Sequence, residues 1–318
     1  MNGNRLTPKD GVNIYFRAIV LLVAFQLVAG VFLFVVSIFV KNEQTINIIN
    51  FLMMGVLELC NILAVVFTLK TTKRKLTFGF KPIKWYVALL SFLASAVCIA
   101  CFVLPAQWFG FLLEKMGFQM VSSFETGSFI ESIVLLVIVV FVAPICEELV
   151  YRGALFGGLL KQKGVLTSAL ISGICFALMH MNPVQTVYQF FLGTVACLLA
   201  YATRSVLSAI ILHAGNNLFA LIMEEITMPE FPIVNTPSIK LLIITIEMFI
   251  VGVSLIYLIF KICSSSAKGN GGYRAELLKE YQTEEKSSVK LYMIASLIIC
   301  IVMWIFVLVS GIFTFEIS

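Results

Sequence analysis

The chain has 318 residues, 60% of them hydrophobic and 12% charged, with a mean hydropathy of +1.03 and a formal net charge of +5. A water-soluble domain carries about twice that charged fraction, so a single globular enzyme in free solution is excluded. The basic excess lies mostly between apolar runs, where it reports membrane orientation and not a nucleic-acid partner.

In chain order, runs with the ~20 apolar residues needed to cross a bilayer core fall near 17–40, 46–69, 85–108, 131–160, 165–181, 184–203, 205–223, 239–261 and 290–312. They predict an all-α, polytopic transmembrane helical bundle of eight to nine spans in a cell membrane, with the lipid bilayer as its solvent. Basic residues close alternate spans. Arg5, Lys9 and Arg17 precede the first, and Lys70, Lys73, Arg74, Lys75, Lys81 and Lys84 follow the second. Lys161 and Lys163 follow the fourth, Arg204 the sixth, and Lys261, Lys268 and Arg274 the eighth. Glu125 and Glu131 flank one intervening loop, and Glu224, Glu225 and Glu230 occupy another. The positive-inside rule places the N-terminus in the cytoplasm and, for nine spans, Phe315 to Ser318 outside.

Three parts are expected: helices 1–3 over 1–130, a catalytic core of helices 4–7 over 131–225, and helices 8–9 over 226–318 with a cytoplasmic linker at 264–290. The second half of that linker, 273–286, suits a surface helix. The first run is too long for a signal peptide and lacks a small-residue cleavage site, so it reads as an anchor. The fourth, with 30 residues, would reach about 45 Å as a straight helix; it must tilt, project beyond the bilayer, or break near Pro144. Eight cysteines lie in or beside apolar stretches and read as small buried hydrophobes, Cys98 and Cys101 of CIAC included. Trp85 and Tyr86 suit an interfacial anchor, and Gly153, Gly157 and Gly158 a helix-packing surface.

An ionisable group at bilayer depth is costly unless it faces protein or a water-filled cavity. In APICEELVYRG, Glu148 and Arg152 stand four apart on one helix face and pair, whereas Glu147 points about 100° away, free to act as a base. Both histidines of the chain, His180 and His213, lie in apolar surroundings. Asn217 shares a face with His213, and Phe176 walls the side of His180. Depth along the helices agrees. Glu147 lies 14 residues before Lys161 and His180 lies 17 after Lys163, about 21 Å and about 25 Å of helix. His213 and Asn217 lie 9 and 13 residues beyond Arg204, which brings four groups from three helices toward one layer.

A carboxylate, two imidazoles and an amide suit peptide hydrolysis in two ways. His180, His213 and Glu147 hold a divalent metal such as Zn²⁺ that activates water, or Glu147 and His180 act as general bases while His213 and Asn217 donate to the oxyanion. Neither HExxH nor GxSxG is present. Two other functions use the same residues. One is a transporter with an intramembrane Glu/His proton relay, to which Glu58, Asn61 and Glu247 would belong. The other is a non-catalytic membrane scaffold for a signalling partner. Glu58 and Asn61, three apart, read more simply as a mutually satisfied structural pair.

EELVYR fits EExxxR, FALMH fits FxxxH and HAGNN fits HxxxN, in order and on successive helices. In this the chain resembles the CAAX-protease and bacteriocin-processing family of intramembrane endopeptidases over about 130–225. The resemblance implies an intramembrane peptidase of metallopeptidase label. Glu147 would activate water with His180; Glu148 and Arg152 would support it; His213 and Asn217 would stabilise the oxyanion or bind metal. The substrate class implied is a membrane-associated peptide or protein, prenylated proteins and bacteriocin or immunity peptides being examples.

Overall fold

The computed structural model describes residues 5–118, 127–225, 237–267 and 286–313. The surface helix expected at 273–286 and the chain end at 315–318 lie outside them, as do Glu125, Glu230 and the side chains of Glu224 and Glu225.

Nine helices run through the described residues, one for each apolar run, and the protein is an all-α multi-pass membrane bundle. They are α1 Pro8–Phe39, α2 Glu43–Thr72, α3 Trp85–Lys115, α4 Phe129–Leu159, α5 Val165–Met179, α6 Thr186–Thr203, α7 Leu207–Glu225, α8 Ile239–Ser266 and α9 Lys286–Phe313. Seven are long and apolar enough to cross a membrane, while the apolar stretches Val165–Met179 and Leu207–Met223 are shorter. Leu27, Phe34, Leu63 and Ile250 are exposed on the outside, as lipid-facing side chains must be.

Local sequence sets the helix starts. Thr7 caps α1 by accepting from Asp10 N–H at 3.3 Å, and Asp10 returns the bond by accepting from Thr7 N–H at 2.8 Å. Pro8, which has no N–H to lose, fills the first helical position. Asn42, Ser128 and Ser238 cap α2, α4 and α8. Arg74 then ties the α2–α3 loop to this start, 2.5 Å from Asp10 Oδ2.

The fourth run does not break at Pro144. It stays one helix of 31 residues that widens twice, over Val137–Val142 and Leu149–Phe156, to five-residue hydrogen bonding. Proline removes a donor from the ordinary i→i−4 ladder, and the wide turn absorbs the defect: the Ala143 N–H reaches back five residues to Ile138 O.

Packing makes α4 the axis of the fold. Every residue of its second wide stretch is buried, in a core with Tyr15 and Ile19 of α1, Val65 of α2 and Phe176 of α5. Ala94, Cys98 and Phe102 of α3 form a second core with Leu192, Ala196 and Leu199 of α6, Leu212 of α7 and Ile256 of α8. The basic loop between α2 and α3 packs onto α4 and the start of α7. Thr77 N–H donates to Gly153 O at 3.1 Å, Val206 N–H to Gly79 O at 3.1 Å, and Phe78 stacks on Phe156 at 5.6 Å. Gly153 and Gly157 admit this loop, and Gly158 admits α1: a Cβ on Gly157 would stand 2.3 Å from Thr77 Cβ, and one on Gly158 3.2 Å from Thr7 O.

Candidate active site

The α5–α6 crossing brings the groups together. Small residues let helices approach in lipid, and here Gly173 and Gly193 meet so closely that a Cβ on Gly193 would lie 3.1 Å from Gly173 Cα and 3.1 Å from the Phe176 ring. That approach leaves Gly193 O within reach of α4. Arg152 Nη2 donates to it at 3.1 Å, and Nη1 donates to Glu148 Oε1 at 2.6 Å. Arg152 and Glu148 are fully buried, as a neutralised ion pair at this depth must be.

Glu148 Oε1 also lies 3.0 Å from His213 Nδ1 on α7. A carboxylate only accepts, so Nδ1 donates, which sets Nε2 on the opposite side of the ring. That Nε2 faces Glu147 Oε2 at 3.9 Å. Glu147 is buried, and its Oε2 accepts no hydrogen bond. Glu148 pairs with Arg152, as their separation of four predicts, and Glu147 does not.

His180, the residue that ends α5, lies 2.9 Å through Nδ1 from Phe176 O, which again leaves Nε2 as the free acceptor. Phe176 is the hub: its ring centroid is 4.8 Å from that of His180, 5.5 Å from that of His213 and 5.2 Å from that of Tyr151, with the Arg152 guanidinium carbon 4.3 Å above it. The two imidazoles thus share one aromatic wall, and it is His213 that stands opposite Glu147.

Asn217 has a separate task. Its Nδ2 donates to Val139 O at 2.8 Å. Ala143 N–H is committed to Ile138 O, and the next residue in that five-residue register, Pro144, has no N–H for Val139 O. The side-chain amide replaces the missing backbone donor. Asn217 is held in turn: Asn216 Nδ2 donates to its Oδ1 at 3.2 Å, and Tyr188 OH of α6 donates to Asn216 Oδ1. Asn216 stands beside the HxxxN asparagine, which was the one clue to it; Tyr188 has no sequence signal at all.

Half-buried Glu58 on α2 accepts from Asn61 Nδ2 at 3.0 Å, the mutual pair that their spacing predicts. Glu247, by contrast, is exposed on α8.

For a metal the arrangement is a poor fit. Among the described residues no three His, Cys, Asp or Glu side chains stand together as ligands. The cysteines, Cys98 and Cys101 included, are buried free thiols.

The sequence model described as Rce1-like, type II CAAX prenyl endopeptidase, matches residues 129–219. That segment is therefore similar to the CAAX-type prenyl endopeptidase family. It contains EExxxR, FxxxH and HxxxN, all of which converge on Phe176. An uncharacterized protein of Mycoplasma capricolum is 26% identical over 201 residues, which cover 58% of this chain. The chain spans 58% of that relative's length. No solved structure matches.

Proposed function

We propose that the protein hydrolyses a peptide bond of a membrane-associated peptide or protein, within the bilayer, by water activated at Glu147. The supporting observation is the gap of 3.9 Å between Glu147 Oε2 and His213 Nε2. Both atoms are acceptors, and a water molecule that donates one hydrogen to each satisfies both. Its oxygen lone pair is then directed away from them, toward an incoming carbonyl carbon. Glu147 takes a proton as the C–O bond forms and returns it to the amine nitrogen as the C–N bond breaks. Glu148, anchored by Arg152, fixes the tautomer of His213. Asn217 has a second amide hydrogen for the developing oxyanion, and His180 Nε2 offers a further acceptor against the same aromatic wall. The sequence paired Glu147 with His180 as the bases; this scheme gives His213 that place.

The test is cleavage of a peptide library, prenylated CAAX peptides included, by the purified protein in detergent, with Glu147→Ala alongside. The expected result is that wild type cleaves a defined subset, chelators leave turnover unchanged, and Glu147→Ala accumulates in the membrane but is inactive. Equal turnover by both proteins removes Glu147 as the base. Proton-driven flux in liposomes without cleavage would select the transporter.

A further inference from the structure

The hydrogen bonds around Asn217 have a direction, and a single carbonyl sets it. Val139 O only accepts, so Asn217 presents Nδ2 to it, at 2.8 Å. The other end of that amide, Oδ1, then faces Asn216, which meets it with Nδ2 at 3.2 Å. Asn216 is thereby left with Oδ1 toward α6, where Tyr188 OH donates to it. Turning Asn217 over would oppose two acceptors at Val139 O, and turning Asn216 over would oppose two at Asn217 Oδ1. The chain from Tyr188 to Val139 O therefore runs one way.

Packing holds this chain in place. A Cβ on Gly215 would lie 2.7 Å from Ser95 Oγ and 2.8 Å from the Phe92 ring, which seats α7 hard on α3. The next two residues, each about 100° further round the helix, are turned to α6 and to α4. Asn216 is only 4% exposed, and the Tyr188 ring packs against the second core, beside residues such as Cys98 and Leu192.

We propose that Asn216, held by Tyr188, is the positioning residue of Asn217: it grips Asn217 Oδ1 and so keeps the second Nδ2 hydrogen aimed at the substrate carbonyl oxygen as that oxygen becomes an oxyanion. This inference rests on the assignment of Asn217 as an oxyanion donor. Val139 O selects which end of the Asn217 amide faces α4, but one hydrogen bond leaves the amide plane free to turn about it. The bond to Oδ1 is the second point that fixes the plane, and reactive geometry is sensitive to displacements of about 1 Å. The oxyanion exists only near the transition state, so loss of this aim acts on kcat and not on KM.

Asn216→Asp keeps the size of the side chain, but its carboxylate has no hydrogen for Asn217 Oδ1; Tyr188→Phe removes a hydroxyl alone. On a peptide cleaved by the wild type, Asn217→Ala is expected to lower kcat about a hundredfold, as for loss of an oxyanion donor. Asn216→Asp should lower it about tenfold to a hundredfold and Tyr188→Phe about threefold to tenfold, the scale of one hydrogen bond lost at the donor or one step behind it. KM stays close to wild type in all three. A phosphinate peptide, whose tetrahedral P–O⁻ mimics the intermediate, should lose affinity in each variant by the same factor as kcat/KM, a match that loss of folded protein does not produce. Wild-type kcat in Asn216→Asp or in Tyr188→Phe overturns the inference, as does a lowered kcat with phosphinate affinity retained. Should Asn216→Asp fail to accumulate, Tyr188→Phe decides by the same two readouts. Asn217→Ala separates the claims: at the wild-type rate it sinks the oxyanion assignment itself, whereas a slow Asn217→Ala beside normal Asn216→Asp and Tyr188→Phe proteins sinks only the role of Asn216.

Discussion

Arg152 holds its guanidinium carbon 4.3 Å above the ring of Phe176 while donating to Glu148 Oε1 at 2.6 Å and to Gly193 O at 3.1 Å. A planar fork makes all three contacts at once; an ammonium group does not. Arg152→Lys is therefore expected to lower turnover about tenfold or more, the cost of one charge-assisted hydrogen bond, with net charge unchanged. The measurement is kcat on the cleaved peptide beside a melting curve.

The adjacent glutamates separate stability from chemistry. Glu148→Ala leaves a buried guanidinium without its carboxylate, at a cost of about 3–5 kcal/mol, and its membrane accumulation and melting temperature should fall sharply. Glu147→Ala removes a carboxylate whose Oε2 has no hydrogen bond, and should melt at or above wild type while losing activity. A Glu147→Ala protein that unfolds like Glu148→Ala would contradict this division.

Asn217 and Pro144 should be coupled. Asn217→Ala strands Val139 O, a buried-acceptor penalty of about 1–3 kcal/mol. In a Pro144→Ala background residue 144 regains an N–H, so the same substitution should cost markedly less. A double-mutant cycle on melting temperature, with Tyr188→Phe as a milder variant in the same hydrogen-bond chain, reads this directly. Strict additivity would mean that the amide and the proline act separately.

Gly157 and Thr77 offer a steric test. Gly157→Ala drives a methyl to within 2.3 Å of Thr77 Cβ, an overpacking cost of about 1–3 kcal/mol. All three nearest atoms belong to the Thr77 side chain, so Thr77→Gly should restore the accumulation of Gly157→Ala. Failure of that rescue would show that another neighbour sets the limit.

Orientation is open to labelling. The native cysteines are buried, so the background is low. Cysteine placed at Gln44 should react with an impermeant maleimide applied outside intact cells, and cysteine at Lys163 only after lysis. The reverse pattern would invert the assignment made from the basic loops.

Sequence revealed the parts that depend on burial and one-dimensional spacing. Nine apolar runs became nine helices, and the pairing of Glu148 with Arg152 followed from a separation of four. Counting residues from the loops put Glu147, His180, His213 and Asn217 near one depth. It carried no information about azimuth, which is why His213 and not His180 faces Glu147. The wide turns of α4 were equally invisible: apolar content does not encode hydrogen-bond register, and Pro144 signalled only that something must give.

The seating of α2 against α4 also bears on how separable the matched segment is. Residues 129–219 hold the three motifs, yet the first half of α4 is packed by Phe51 and Gly55 of a helix encoded upstream, and Gly153 and Gly157 are roofed by the loop that follows that helix. Grafting the segment alone into another bundle would transplant the reactive groups without the scaffolding that aims them. Chimeras between such proteins should exchange 43–84 together with the motif helices, or inherit a mismatched pair.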